Sequence, residues 1–145
     1  MYAHILIATD GSELAEKAVE QGLRLAKTLG SKATAITVTE PWTAAVSGEW
    51  AVHFPVEEYE KVAAANARKI LDRVGEAARR IGVACETVHV KDQFPAEGIV
   101  EEAKARGCDL IVMSSHGRRG LVKFVLGSQA TRVLTHSTIP VLICR

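Results

Sequence analysis

Cysteine is scarce: Cys85, Cys108 and Cys144 are the three in 145 residues, and they stand far apart. An odd number with no Cys-x-x-Cys or zinc-type spacing argues against a redox pair or a thiolate metal centre. Small buried or half-buried thiols in a reducing compartment are the expectation. The five histidines show no metal-ligand spacing either. Neither sign of charge dominates, with 18 Lys and Arg against 17 Asp and Glu and a net charge of +1. Acids and bases are mixed along the chain with no basic run or stripe, which argues against charge-driven binding of nucleic acid. No stretch approaches the ~20 apolar residues of a membrane span. The opening Met1-Tyr2-Ala3-His4 lacks the basic start, long apolar run and small-residue cleavage site of a signal peptide. A cytoplasmic protein is therefore expected.

What is present suits one domain over residues 1–145, since 48% of the residues are hydrophobic. Strand-like and helix-like segments alternate. Strands are expected over residues 4–10, 33–38, 85–90, 109–114 and 140–144, and helices over 12–29, 56–81, 95–106 and 128–135. Ala15, Ala18, Gly22, Leu25 and Leu29 form the apolar face of the first helix. Tyr59, Val62, Asn66, Ile70, Val74, Ala77 and Ile81 form that of the long one. Gly30 and Gly82 sit where C-caps belong, and Pro95 opens a helix at a position that needs no N–H. This alternation implies βαβ units with right-handed crossovers. The near-continuous apolar strands imply helices on both faces of an open parallel sheet, a five-stranded α/β fold of Rossmann-like type in the order 3-2-1-4-5. Residues 39–55 are a long connection holding Trp42, Trp50, His53 and Phe54, which reads as a lid or binding element. Its two tryptophans are expected to pack it on the body.

In an open parallel sheet, ligands bind beyond the carboxyl ends of the strands at the point where strand order reverses. Three segments converge there if the first and fourth strands are neighbours: residues 8–12, the end of the second strand, and residues 114–120. Gly117 and Gly120 allow backbone N–H groups to approach an anion. Gly127-Ser128 opens the last helix, whose free N–H groups suit phosphate. Asp10 and Ser12 are also good capping residues, a role compatible with ligand contact. Ser115-His116 looks like a catalytic dyad, but neighbours in an extended segment point to opposite sides and no carboxylate partner for His116 is evident. No catalytic residue is assigned, and His116 reads as a loop spacer.

The spacing of the glycines carries the argument further. Ser114-Ser115-His116-Gly117, nine residues, then Gly127-Ser128 resembles the universal stress protein signature, G-x-x-G, nine residues, then G-S or G-T. ILIATDGS resembles that family's first strand and its Asp-containing turn, AITV its second strand, and DLIVMSSHGRRG with LGSQATRVLTHSTIPVLICR its fourth strand, phosphate loop, last helix and last strand. One position departs: Ser114 stands where the signature has glycine. The resemblance implies an ATP-binding stress-response protein of the family's nucleotide-binding branch. It implies that Ala8, Thr9 and Asp10 flank the adenosine, with Asp10 near the ribose. It places Val38 against adenine through its backbone and Met113 against the nucleoside. Ser114, Ser115, His116, Gly117, Arg118 and Arg119 wrap the phosphates, joined by Gly127, Ser128 and Gln129. A Mg²⁺ ion bridging phosphates, rather than one in an all-protein cage, and a homodimer paired through residues 139–144 follow from the same likeness. The apolar run at 139–144 independently suggests a sheet edge that needs a cover.

Rival functions find less support. A P-loop NTPase needs G-x-x-x-x-G-K-[ST], and a nicotinamide dehydrogenase needs G-x-G-x-x-G after its first strand; neither is present. A phospho-accepting receiver needs a lysine after the fifth strand, where this sequence has Cys144-Arg145. A nucleotide-free dimeric interaction module and a slow ATPase remain as alternatives to a nucleotide-dependent switch.

Overall fold

The computed structural model describes residues 1–118 and 125–145. The order of elements is β1 (His4–Ala8), α1 (Glu13–Leu29), β2 (Lys32–Val38), α2 (Trp42–Ala45), α3 (Trp50–His53), α4 (Val56–Ile81), β3 (Cys85–Val90), α5 (Pro95–Ala105), β4 (Leu110–Ser114), α6 (Ser128–His136) and β5 (Val141–Cys144). The sheet runs β3-β2-β1-β4-β5, and its pairs are all parallel. This is the Rossmann-like order expected from the sequence.

Helices cover both faces, so every residue of β1 and β4 is buried. The period of two along β1 divides the core. Ile5 and Ile7 join Ala18, Val19 and Leu23 of α1 and Val74, Ala78 and Ile81 of α4. Leu6 and Ala8 join Ile99, Val100 and Ala103 of α5 and Ala130 and Val133 of α6. The sheet's edges show in the sequences that form them. β3 exposes Glu86 and Thr87, and β5 leaves Leu142 41% exposed.

Several boundaries differ from the sequence reading, each for a local reason. β1 stops at Ala8 instead of Asp10, because the next residues turn. Gly11 N–H donates to Thr9 Oγ1 at 3.1 Å and Ser12 N–H to Asp10 Oδ1 at 2.9 Å. Ser12 is the N-cap of α1 and accepts from Ala15 N. Its buried face is Ala15, Ala18, Val19, Gly22, Leu23 and Ala26, and Leu29 is exposed. The α4 stripe is likewise rotated. Ala67, Ile70, Leu71, Val74, Ala78 and Ile81 are buried, while Val62 and Asn66 face solvent. No residue of α4 before Ala67 is buried, and the start of the helix packs through Tyr59 on the 39–55 connection instead of on the core. The connection 39–55 holds two single-turn helices, α2 and α3. Trp42 pins it by donating from Nε1 to the Phe54 carbonyl at 2.8 Å, and Tyr59 Oη donates to the Glu40 carbonyl at 2.6 Å. Trp50 remains 75% exposed, against the expectation that both tryptophans pack on the body.

The amino terminus is held by one carboxylate, Asp109, which accepts from Ala3 N–H at 2.8 Å and from His4 N–H at 3.0 Å. These two bonds hold its carboxyl below the ordinary 3.8. A depressed folded value means that stability is present above the unfolded value and is lost as pH falls through the folded one. Asp109→Asn is therefore expected to cost about 1 kcal/mol at pH 7, roughly 3 °C in melting temperature for a chain of this size. The gap between variant and native protein should narrow below pH 3.8 in a pH series of thermal melts.

Candidate functional site

The turn after β1 and the loop after β4 meet at the carboxyl end of the sheet. Asp10 joins them. Its Oδ1 accepts from Ser12 N–H within its own turn, and its Oδ2 accepts from Arg118 N–H at 2.9 Å, 108 residues away in sequence. Gly117 lies so close that a Cβ built on it would run into Asp10 Oδ2. The second joint is at Gly127, whose N–H donates to the Ser115 carbonyl at 2.8 Å. A Cβ on Gly127 would stand 2.8 Å from that same oxygen and 3.3 Å from His116 Cα. Both glycines of the motif are thus positions of close backbone approach. Ser115 N–H in turn donates to the Cys144 carbonyl at 2.8 Å, which ties the loop to the end of β5.

Around this junction the structure assembles most of the expected residues. Ala8, Thr9, Met113, Ser114 and Ser115 are buried, with Ala8 and Met113 in the same apolar cluster. Val38 packs against that cluster from the end of β2, and Gly98 of α5 closes on it: a Cβ there would lie 3.1 Å from Val38 Cγ1. His116 and Gly127 are half-buried, and Gly117, Arg118 and Ser128 are exposed. Gln129, in the first turn of α6, has its Oε1 buried without a partner among the described residues. Arg119 and Gly120 lie outside the described residues.

One expectation needs correction. Ser115 and His116 do not point apart: Ser115 Oγ and His116 Nδ1 are 3.1 Å from each other. The backbone bends at Ser115 as the strand ends, so the alternation of an extended segment no longer applies. No carboxylate meets the imidazole among the described hydrogen bonds, so the pair lacks the orienting group of a nucleophile relay. Ser114, in place of the signature glycine, donates its hydroxyl to the His116 carbonyl at 2.8 Å. The side chain is buried and spans the start of the loop instead of reaching outward.

A further pair lies at the same end of the sheet, with no signature in the sequence. Thr39 Oγ1 and His89 Nε2 are 2.6 Å apart, just beyond Val38. Burial, and secondly the charge of Lys91, lower the His89 value below 6.5. The pair arises from the β2–β3 register, in which Val38 aligns with Val90, and no spacing within the sequence reveals it. Thiol chemistry is absent from the site. Burial pushes Cys85 and Cys108 up to about 11 and also raises Cys144, so all three are protonated and poorly nucleophilic near neutrality. A cavity of about 250 Å³ touches Thr9 and Gly11 but opens between α1 and α4, beside Val19 and Val74. Those residues belong to the opposite face of the sheet from Met113 and Ala8. No group of three or more His, Cys, Asp or Glu positioned for a metal ion occurs among the described residues, and no described helix is long and apolar enough to cross a membrane.

Comparison with known proteins agrees with this architecture. The model of the universal stress protein family matches residues 1–145. Universal stress protein YxiE of Bacillus subtilis is 33% identical over 150 residues, covering 100% of both chains. The solved structure of MJ0577, a Methanocaldococcus jannaschii universal stress protein, superposes with a TM-score of 0.83 at 28% identity, covering 99% of this chain and 96% of that one. A universal stress protein crystallised in complex with cAMP gives a TM-score of 0.74 at 26% identity, covering 99% and 97%.

The close approach at Gly127 can be tested against a glycine that has room. Gly127→Ala drives a methyl group toward the Ser115 carbonyl and is expected to destabilise by roughly 1–3 kcal/mol. Gly75, inside α4, has only Arg79 Nη1 near a built Cβ, at 3.5 Å. Gly75→Ala should stabilise by about 0.5–1 kcal/mol through helix propensity. Urea titrations of both variants compare the two costs.

Proposed function

This chain belongs to the universal stress protein family, and on that premise we propose that it binds an adenine nucleotide, ATP above all, and acts as a nucleotide-dependent switch in a stress response. The observation that carries the reading is the paired close approach at Gly117 and Gly127, which leaves loop backbone where side chains would otherwise stand. Such loops, together with the free N–H groups at the start of α6, form a cradle suited to phosphate. Gln129 lies in the first turn of that helix, where its side-chain Nε2 can donate to a phosphate oxygen. The cAMP complex of a 26% identical relative supports an adenine nucleotide as the ligand class.

In this reading Val38 and Met113 hold the base and nucleoside, with Ala8 and Thr9 beside them and Asp10 toward the ribose. Residues 114–119 with Gly127, Ser128 and Gln129 receive the phosphates. ATP would bring a Mg²⁺ ion that bridges its phosphates, as such ions ordinarily do. The half-formed Ser115–His116 pair gives no reason to assign a dedicated enzyme. The edge strand β5, with Leu142 exposed, is the surface through which two copies would pair across a two-fold axis, and the cytoplasm is the compartment in which the switch would act.

The test is a thermal melt with Mg²⁺ and ATP, AMP or cAMP. A ligand at ~100 times its Kd stabilises by about 2.7 kcal/mol, a rise of several degrees. Gly117→Val, which forces a branched side chain against Asp10, should remain folded and lose that rise. Native protein that shows no shift with any nucleotide after removal of carried-over ligand would leave the nucleotide-free interaction module as the better account.

A further inference from the structure

We propose that residues 40–60 form a docking surface for a basic amphipathic helix of a partner protein. The segment crosses the connection between β2 and α4, through α2 and α3, and takes in the first turn of α4. Its composition is unlike the rest of the chain. It holds Glu40, Glu49, Glu57, Glu58 and Glu60, five of the 17 acids, and none of the 18 lysines and arginines. The remaining 12 acids share the rest of the chain with all 18 bases. None of the five carboxylates joins an ion pair among the described residues.

The apolar side chains of the segment fall into two sets. Trp42, Phe54 and Tyr59 face inward: Trp42 Nε1 and Tyr59 Oη make the bonds that pin the connection, and Phe54 meets Tyr59 edge-on with ring centroids 6.2 Å apart. Trp50, Val52 and Val56 serve no such purpose and are 75%, 80% and 43% exposed. An exposed tryptophan and two exposed valines in a segment that carries five carboxylates and no Lys or Arg have the make-up of an interface anchor with a polar rim.

The chemistry selects the occupant. Anionic lipid and nucleic acid are repelled by five unpaired carboxylates. A second copy docking the same surface across a two-fold axis would set those carboxylates against their own images. The segment is helical with no strand edge, so strand addition is unavailable and recognition falls to an apolar helix stripe flanked by Lys and Arg. The inference is independent of the nucleotide reading, because no residue of the proposed nucleotide site lies within 40–60.

Fluorescence anisotropy of a labelled synthetic peptide, with Leu at helical spacing and Lys elsewhere, tests it on the full chain, with the Leu/Glu counterpart as control. Saturable binding of one Leu/Lys peptide per chain, weakened by salt, is expected, with no binding of the Leu/Glu peptide. Trp50→Ser with Val52→Ser, and separately Glu57→Lys with Glu58→Lys, should each weaken binding by about tenfold or more. Both change exposed side chains only, so the variants should melt like the native protein. Glu76→Lys, an exposed acid on the sheet-packed part of α4, should leave binding unchanged. Binding that survives both double substitutions overturns the proposal, as does equal binding of the Leu/Glu peptide. Capture of the chain by phosphatidylserine vesicles, or self-association abolished by Trp50→Ser, would assign the surface to a membrane or a second copy and overturn it too.

Discussion

The carboxyl end of the sheet depends on the Asp10 side chain. One oxygen finishes the turn after β1 and the other holds the backbone of Arg118, so a single carboxylate joins two segments that the chain separates by most of its length. A backbone N–H bound to a charged acceptor is worth more than a neutral pair, and here it sets the distance between the turn and the loop. Gly117 follows from that distance, since any side chain would collide with the carboxylate. The Gly127–Ser115 contact closes the loop on its other side, and the bond from Ser115 N–H to Cys144 fastens it to the edge strand. The site is therefore built mainly from backbone held at short range, with few charged side chains, which suits a ligand recognised through phosphate and ribose oxygens.

That construction explains why so much of the molecule could be read in advance. The buried strands β1 and β4 are apolar without interruption, and the glycines at 82, 117 and 127 mark places where the chain must turn sharply or pack closely. β3 and α4 fall where the sequence places them. The misread features are ones that depend on neighbours distant in sequence. Val62 and Asn66 share the apolar spacing of α4, yet Ala67 and Leu71 take the buried face in their stead. Ser115 and His116 were assigned to opposite sides on the geometry of a strand that has already ended. Thr39 and His89 meet only because β2 and β3 align in register. Ser114 illustrates the same limit: its hydroxyl is committed to the His116 carbonyl, a local role that a motif comparison alone leaves open between ligand contact and obstruction.

Two regions of contrasting design emerge. The sheet's carboxyl end is held by backbone N–H groups that donate to the Asp10 carboxylate and to backbone carbonyls. The 40–60 segment is acidic, pinned at a few points on its inner side and exposed on its outer one. It leaves β2 directly after Val38, so a change at the end of β2 would pass into it through continuous chain. If the proposed nucleotide site and the exposed apolar surface share this strand end, the chain between them is a physical route for one to report on the other.

The Asp10-linked junction is the proposed site of nucleotide binding. Backbone amide NMR during titration with Mg²⁺ and ATP tests it most directly. The amides of Ser12, Thr39, Gly117, Arg118, Gly127 and Ser128 should shift together along one saturation curve, since the turn after β1, the end of β2 and the loop after β4 meet at the carboxyl end of the sheet. Shifts confined to the α1–α4 cavity around Val19 and Val74, with Arg118 and Gly127 unmoved, would place the nucleotide elsewhere.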